Sequence, residues 1–126
     1  MNVLVVEDDP ALRKLVATAV ASCGLQVRGA ENGIEALALV SEQIPDLIVL
    51  DLQLPEMDGR EFLRHVRSTK RCGDIPVVVT SAAYNVTSQT LQDLDVQAFV
   101  AKPFDLDELL DIIEQLSRSS VLSHVA

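Results

Sequence analysis

Aromatic side chains are scarce in this chain of 126 residues, at 3% of the composition, and tryptophan is absent. A surface that binds single-stranded nucleic acid by stacking needs several aromatic rings, so we exclude a base-stacking platform. Positive charge is also in deficit, because 10 Lys and Arg residues stand against 19 Asp and Glu residues, for a net charge of −9. Binding to DNA or to a membrane surface relies on Lys and Arg to meet phosphate, so the sequence predicts no direct nucleic-acid binding and no membrane partner.

Long apolar runs and paired cysteine motifs are missing as well. No apolar stretch reaches the length that crosses a bilayer, and no basic segment precedes an apolar one as in a secretory signal. The two cysteines, Cys23 and Cys72, form no CxxC motif and no ligand cluster with His65 or His124. We interpret them as reduced thiols and predict a cytoplasmic protein.

Apolar residues, by contrast, make up 48% of the chain and follow two alternating patterns. Short apolar and β-branched runs predict five strands, at 2–6, 25–30, 46–50, 75–80 and 97–101. Apolar residues at i, i+3 and i+4 spacing predict helices between and after them, at 10–23, 33–44, 59–70, 85–94 and 106–117. Short polar side chains that can cap a first turn precede four of these helices: Asp9, Asn32, Asp58 and Asp105.

The strict alternation of strand and helix predicts an α/β fold, with a parallel sheet covered on both faces by helices. The half-polar run "LQVRGA" suits an edge strand, and the continuous apolar runs suit the interior. Together they favour a doubly wound, flavodoxin-like (βα)5 arrangement with strand order 2-1-3-4-5. Residues 1–118 are predicted to form one domain, and 119–126 a tail or the start of a linker.

Polar residues stand where the predicted strands end, and in an open parallel sheet these ends meet at one edge. The residues are Glu7, Asp8 and Asp9 after the first strand, Asp51 after the third, Thr80 and Ser81 after the fourth, and Lys102 after the fifth. Of these, Asp9 is interpreted as a helix cap rather than a ligand, because Pro10 follows it at the first helical position.

Carboxylates in close approach repel one another, so this edge is predicted to attract a cation. Oxygen ligands without His or Cys select a hard ion, and a site with few protein ligands favours Mg²⁺ over Ca²⁺. An Asp beside such an ion can attack phosphorus and form an aspartyl-phosphate. Lys102 can neutralise the charge of a transferred phosphoryl group, and Thr80 can donate to one of its oxygens.

Four motifs occur in order along residues 2–118: "VVEDDP", "LIVLDLQLPEMDG", "VVVTSA" and "FVAKPF". With these motifs at its strand ends, the chain resembles the receiver domain of bacterial two-component response regulators, in its chemotaxis-receiver-like form. The resemblance implies that Asp51 is the phosphoacceptor. It also implies a Mg²⁺ site made of Asp8, Asp51 and the backbone carbonyl of Gln53, with help from Glu7.

The same resemblance implies that Thr80 and Lys102 contact the phosphoryl group and that the Lys102–Pro103 bond is cis. Phe99 falls at the aromatic switch position of the family. The phosphoryl donor would be a sensor histidine kinase or a phosphotransfer protein. The output would be a downstream protein target or a self-dimer, reached through the fourth helix, fifth strand and fifth helix.

Other functions compete with this interpretation. A Mg²⁺-dependent phosphohydrolase with an Asp nucleophile would be expected to carry a second Asp two residues later, where this chain has Gln53. A pseudo-receiver that only binds partners would be expected to lack one of the acidic residues, Thr80 or Lys102. A flavodoxin-type flavin binder would need a Gly-, Ser- or Thr-rich loop after the first strand. We therefore predict a signalling receiver that is not an enzyme, beyond catalysing its own phosphorylation and dephosphorylation.

Overall fold

The computed structural model describes residues 1–82 and 88–125, without the side chains of 88, 90, 91 and 119–125. The strands are β1 (Asn2–Val6), β2 (Gln26–Ala30), β3 (Leu47–Asp51), β4 (Val77–Ser81) and β5 (Ala98–Ala101). The helices are α1 (Pro10–Ser22), α2 (Gly33–Glu42), α3 (Gly59–Ser68), α4 (Ser88–Leu94) and α5 (Leu106–Val125). The predicted order of elements is therefore confirmed within the described residues.

The strands form one parallel sheet in the order β2-β1-β3-β4-β5. This confirms the predicted fold class and strand order. β2 is the partly exposed edge strand, whereas every residue of β1, β3 and β4 is buried. The continuous apolar runs belong to the strands that are covered on both faces.

Alternate side chains of each strand enter two separate cores, as strand geometry requires. Leu4 and Val6 of β1 pack in the core beneath α2 and α3. Val3 and Val5 pack in the core beneath α1 and α5. The helices thus cover the sheet from opposite sides and leave its carboxyl edge free to carry polar groups.

Helix starts follow the predicted caps, and helix ends differ more. The side chains that accept hydrogen bonds from backbone N–H groups of the first turn are Asp9, Asn32, Asp58 and Asp105. The predicted start of the fourth helix at residue 85 lies outside the described residues. The backbone of α5 stays helical to Val125, past the predicted end at 117, because no Gly or Pro follows to stop it.

Candidate functional site

Strand register places the predicted site residues at the carboxyl edge of the sheet. Asp51, the last residue of β3, lies directly beside Thr80 of β4. Thr80 in turn pairs with Val100 of β5, and the backbone N–H of Lys102 donates to the carbonyl of Ser81 at 2.9 Å. Residues that are distant in sequence therefore meet at one point because parallel strands end together.

The acidic side chains form a cluster at this edge. Glu7, Asp8 and Asp51 each offer a carboxylate oxygen, and these atoms all lie within 4.8 Å of one another. Glu7 and Asp51 are buried, at 4% exposure each, while Asp8 is exposed. Three clustered carboxylates without His or Cys are a donor set that fits a hard divalent cation.

Lys102 joins the two buried carboxylates. Its Nζ lies 2.5 Å from Oε1 of Glu7 and 2.9 Å from Oδ2 of Asp51. Lys102 is 20% exposed at its side chain, so most of the side chain is shielded from solvent. The amine is therefore held where a group bound to Asp51 would carry its negative charge.

Burial and charge oppose each other in this cluster, and the balance differs between partners. Burial raises the pKa of Glu7, and the neighbouring Asp8 adds to that rise, although Lys102 opposes it. For Lys102, burial acts to lower the pKa, but hydrogen bonds and charge from Asp51 and Glu7 outweigh it and leave the pKa raised. The lysine is therefore charged at neutral pH, and one positive charge is shared by two buried acids.

The loop after β3 holds the Asp51 carboxylate from the other side. The backbone N–H of Gln53 donates to Oδ1 of Asp51 at 3.0 Å, which brings the Gln53 backbone against the acidic cluster. Glu56 in this loop has a φ of 66°, an uncommon left-handed conformation for a residue with a side chain. The loop closes at Gly59, whose N–H donates to the carbonyl of Leu52 at 2.9 Å.

Thr80 and Phe99 lie on neighbouring strands at the same edge. Thr80 is buried at 3% exposure, beside the backbone of Asp51. Phe99 of β5 pairs with Val79 of β4 and is half-buried against the core under α2 and α3. The Lys102–Pro103 peptide bond is cis. Ala82, which follows β4 directly, is exposed.

Sequence reasoning missed two residues that shape the site. Arg13 of α1 donates from Nη1 to the backbone carbonyl of Glu7 at 2.8 Å, which fixes the end of β1. The sequence did offer one indication of this contact, because Arg13 lies in the first turn of α1, just after the acidic end of β1. Gly59 is the second, because its backbone touches the end of β3. No local pattern reveals that contact.

Comparisons with known proteins agree with this geometry. A family model described as the response regulator receiver domain matches residues 3–114. RpaA of Synechocystis, a DNA-binding dual master transcriptional regulator, is 36% identical over 93% of this chain and 49% of its own length. Response regulator MprA of Mycobacterium leprae is 39% identical over 94% of this chain and 51% of its own.

Solved structures give the same result. The receiver domain of the Francisella response regulator 1452 matches with a TM-score of 0.83 at 29% identity, covering 94% of this chain and 98% of that domain. Chemotaxis response regulator CheY4 of Vibrio cholerae matches with a TM-score of 0.84 at 27% identity, over 91% of this chain and 97% of that one. The chain spans about half the length of the curated relatives it matches.

The relatives correct the prediction about nucleic acid. The exclusion of direct nucleic-acid binding is wrong as an inference from net charge, because RpaA is a DNA-binding regulator by name. The chain corresponds to only 49% of RpaA, so its charge describes only part of such a protein. Among the residues that the structure describes, no helix has both the length and the apolar character that a membrane crossing requires.

Proposed function

This chain belongs to the response regulator receiver family, and from that premise we propose that it accepts a phosphoryl group on Asp51. One observation carries the proposal: the buried Asp51 carboxylate lies within 4.8 Å of two other carboxylates and 2.9 Å from an ammonium group. A structural carboxylate at a strand end needs only a cap or one partner. This one faces an acidic cluster and a cation together, as phosphoryl transfer requires.

Receiver domains generally bind Mg²⁺ at an acidic pocket, and the cluster of Glu7, Asp8 and Asp51 fits that ion. We assign the ion to Asp8, Asp51 and the backbone carbonyl of Gln53, with Glu7 assisting. When bound, Mg²⁺ supplies positive charge that offsets the repulsion between the carboxylates and the incoming phosphoryl group.

The reaction transfers a phosphoryl group from an oxygen or nitrogen of the donor to a carboxylate oxygen of Asp51. An Oδ of Asp51 donates an electron pair to phosphorus, and the new P–O bond forms as the bond to the donor breaks. The leaving group departs with that bond's electron pair. Lys102 neutralises phosphoryl oxygen charge, and the Thr80 hydroxyl donates to another oxygen. The donor is proposed to be a histidine kinase or a phosphotransfer protein.

The proposed output begins at Thr80. A phosphoryl group adds roughly two negative charges and strong acceptor oxygens beside the hydroxyl, which turns toward it. The space that Thr80 leaves can be filled by Phe99 from the neighbouring strand, so that two packings alternate. β5, α4 and α5 form the face that would change, with Ile112 the apolar residue of α5 expected nearest to it. A protein target or a second copy of the chain would recognise this face.

Intact mass after treatment with acetyl phosphate and Mg²⁺ tests the proposal. We expect one added phosphoryl group on the wild type and none on Asp51→Asn. The matched control is Asp58→Asn, which alters an exposed helix cap seven residues further along the same loop and should be modified like the wild type. A phosphoryl group that persists in Asp51→Asn would refute the assignment.

The same samples separate the alternatives. A phosphohydrolase would consume a molar excess of the phosphate donor rapidly while little protein stays modified. A pseudo-receiver would take up no phosphoryl group at all, with Mg²⁺ or without it. We propose instead that the protein is modified stoichiometrically and acts on no external substrate as an enzyme.

A further inference from the structure

The positive charge of this acidic chain is concentrated in one segment. Five of its ten Lys and Arg residues lie between 60 and 71, and Glu61 is the single acid within that segment. Arg67 is partly buried and donates to backbone carbonyls of Gly73, Ile75 and Asp95. The other four cations are exposed: Arg60, Arg64, Lys70 and Arg71. The outer surface of α3 and of the turn after it is therefore locally basic.

A groove with apolar and polar lining lies beside these cations, between α2 and α3. It has a volume of about 340 Å³ and an apolar floor made by Leu37, Val40, Ile44, Val66 and Cys72. Its polar lining consists of Ser41, His65, Ser68, Thr69 and Arg71. An adjoining depression of about 370 Å³ shares His65 and Ser68 with it and adds Arg64 and Glu61. We call the two together the α2–α3 groove.

This groove is separate from the Asp51 site. Ile44 precedes β3 and Cys72 precedes β4, so the floor lies toward the edge where the strands begin. Asp51 ends β3 and lies at the opposite edge. The groove residues are therefore not needed to hold the phosphoryl group, and the surface is available to a partner of its own.

The chemistry of the groove selects one class of partner. Half-buried Leu37 and Ile44 offer apolar contact, and Arg64 and Arg71 place positive charge beside it. A nucleic-acid duplex would meet the arginines but keeps the apolar faces of its bases stacked inside, so it would leave the floor uncovered. An amphipathic helix offers an apolar stripe at i, i+3, i+4 and i+7, and acidic flanks would pair with the two arginines.

We propose that the α2–α3 groove docks an acidic amphipathic helix of a protein partner. The net charge of −9 repels such a helix at long range, but salt screens that repulsion beyond about 10 Å. At contact the local arginines dominate, with Glu61 as the opposing carboxylate of the rim. The proposal concerns the unphosphorylated chain and does not depend on chemistry at Asp51.

Two synthetic peptides provide the probe. Both are capped, about five helical turns long, with leucine at the core-facing positions; one carries glutamate elsewhere and the other lysine. Titration of the labelled full chain, followed by amide resonances and by peptide fluorescence anisotropy, gives both location and affinity. We expect the glutamate peptide to shift the amides of residues 37–44 and 61–72, with an affinity that falls as salt is added.

Two charge-reversed variants with equal net charge separate local from overall charge. Arg64→Glu combined with Arg71→Glu changes the groove, and Lys14→Glu combined with Arg118→Glu changes exposed residues of α1 and α5. The groove variant should bind the glutamate peptide roughly tenfold more weakly or worse, and should gain binding of the lysine peptide. The control variant should stay within about twofold of the wild type. Thermal melts confirm that both variants fold.

Several results would overturn the proposal. Absence of binding by the glutamate peptide would do so, as would shifts that map outside the groove. Equal weakening of both variants would show that only net charge matters, and equal binding of both peptides would leave the arginines without a role. A DNA duplex that displaces the glutamate peptide from the same residues would identify the groove as a nucleic-acid surface instead.

Discussion

Replacing Gly59 by alanine should disturb the site from a position that has no functional side chain. A Cβ at Gly59 would lie 2.5 Å from the carbonyl oxygen of Asp51 and 2.6 Å from the Cα of Leu52. Non-bonded contacts between carbon atoms begin at about 3.5 Å, so the start of α3 would have to move away from β3 by about 1 Å. Both opposing atoms are backbone atoms and cannot rotate away. We expect a loss of about 1–3 kcal/mol in the free energy of unfolding.

Urea unfolding measures this loss as a lower midpoint with an unchanged slope. Gly73→Ala is the matched control, because the nearest atoms to its Cβ, the carbonyl oxygens of Arg67 and Thr69, lie at 3.8 Å. That variant should stay within about 0.5 kcal/mol of the wild type. Gly59→Ala should also slow phosphorylation by acetyl phosphate, since the loop between Asp51 and α3 must shift when the start of α3 retreats. If the two variants are equally stable, α3 does not press on β3 as described.

Four further predictions test the charged residues. Mg²⁺ at a hundred times its Kd should raise the free energy of unfolding of the wild type by about 2.7 kcal/mol, and that of Asp8→Ala far less. Equal gains of the two proteins in thermal melts would show that Asp8 does not bind the ion. Metal-free Asp8→Ala should melt above the metal-free wild type, because one repelling carboxylate is gone. Burial raises the pKa of Glu7 above its ordinary value of 4.5, so the folded chain binds the Glu7 proton more tightly than the unfolded chain does. The stabilisation from this bound proton is present below pH 4.5 and is lost as pH rises through the raised pKa. Glu7→Gln should therefore gain stability relative to the wild type over that window in metal-free urea unfolding, and a pH-independent difference would contradict this. Arg67→Met should lower the free energy of unfolding by about 2–4 kcal/mol, because Arg67 donates to three loop carbonyls. The control Arg64→Met, at an exposed position, should change the free energy of unfolding little. Similar losses in the two variants would mean that the hydrogen bonds of Arg67 contribute nothing to stability.

The sheet and its polar edge could be predicted because their causes are local in sequence. Apolar runs bounded by turns define the strands, and a parallel sheet brings all their carboxyl ends together. That rule alone placed Asp51 and Lys102, 51 residues apart in sequence, at one edge of the sheet. In the structure, Nζ of Lys102 lies 2.9 Å from Oδ2 of Asp51. The alternating pattern of β2 predicted its edge position for the same kind of reason.

What could not be predicted depends on contacts between distant backbones. The sequence shows a glycine at 59, but only the packing of α3 on β3 shows that a methyl group has no room there. Likewise, Lys102 was expected near a phosphoryl group, and its bridging of Glu7 to Asp51 emerged from side-chain reach. The error about nucleic acid had another origin, because net charge was read from a chain that matches only part of its relatives.

The identity of the modified residue tests the central claim most directly. Borohydride reduces an acyl phosphate to an alcohol, so a phosphorylated Asp becomes homoserine, which peptide mass spectrometry locates. After treatment with acetyl phosphate and Mg²⁺, we expect homoserine at position 51 of the wild type and at no other acidic residue. Homoserine at Asp8 or at another acid, or a phosphoryl group that borohydride does not convert, would contradict the assignment of Asp51 as phosphoacceptor.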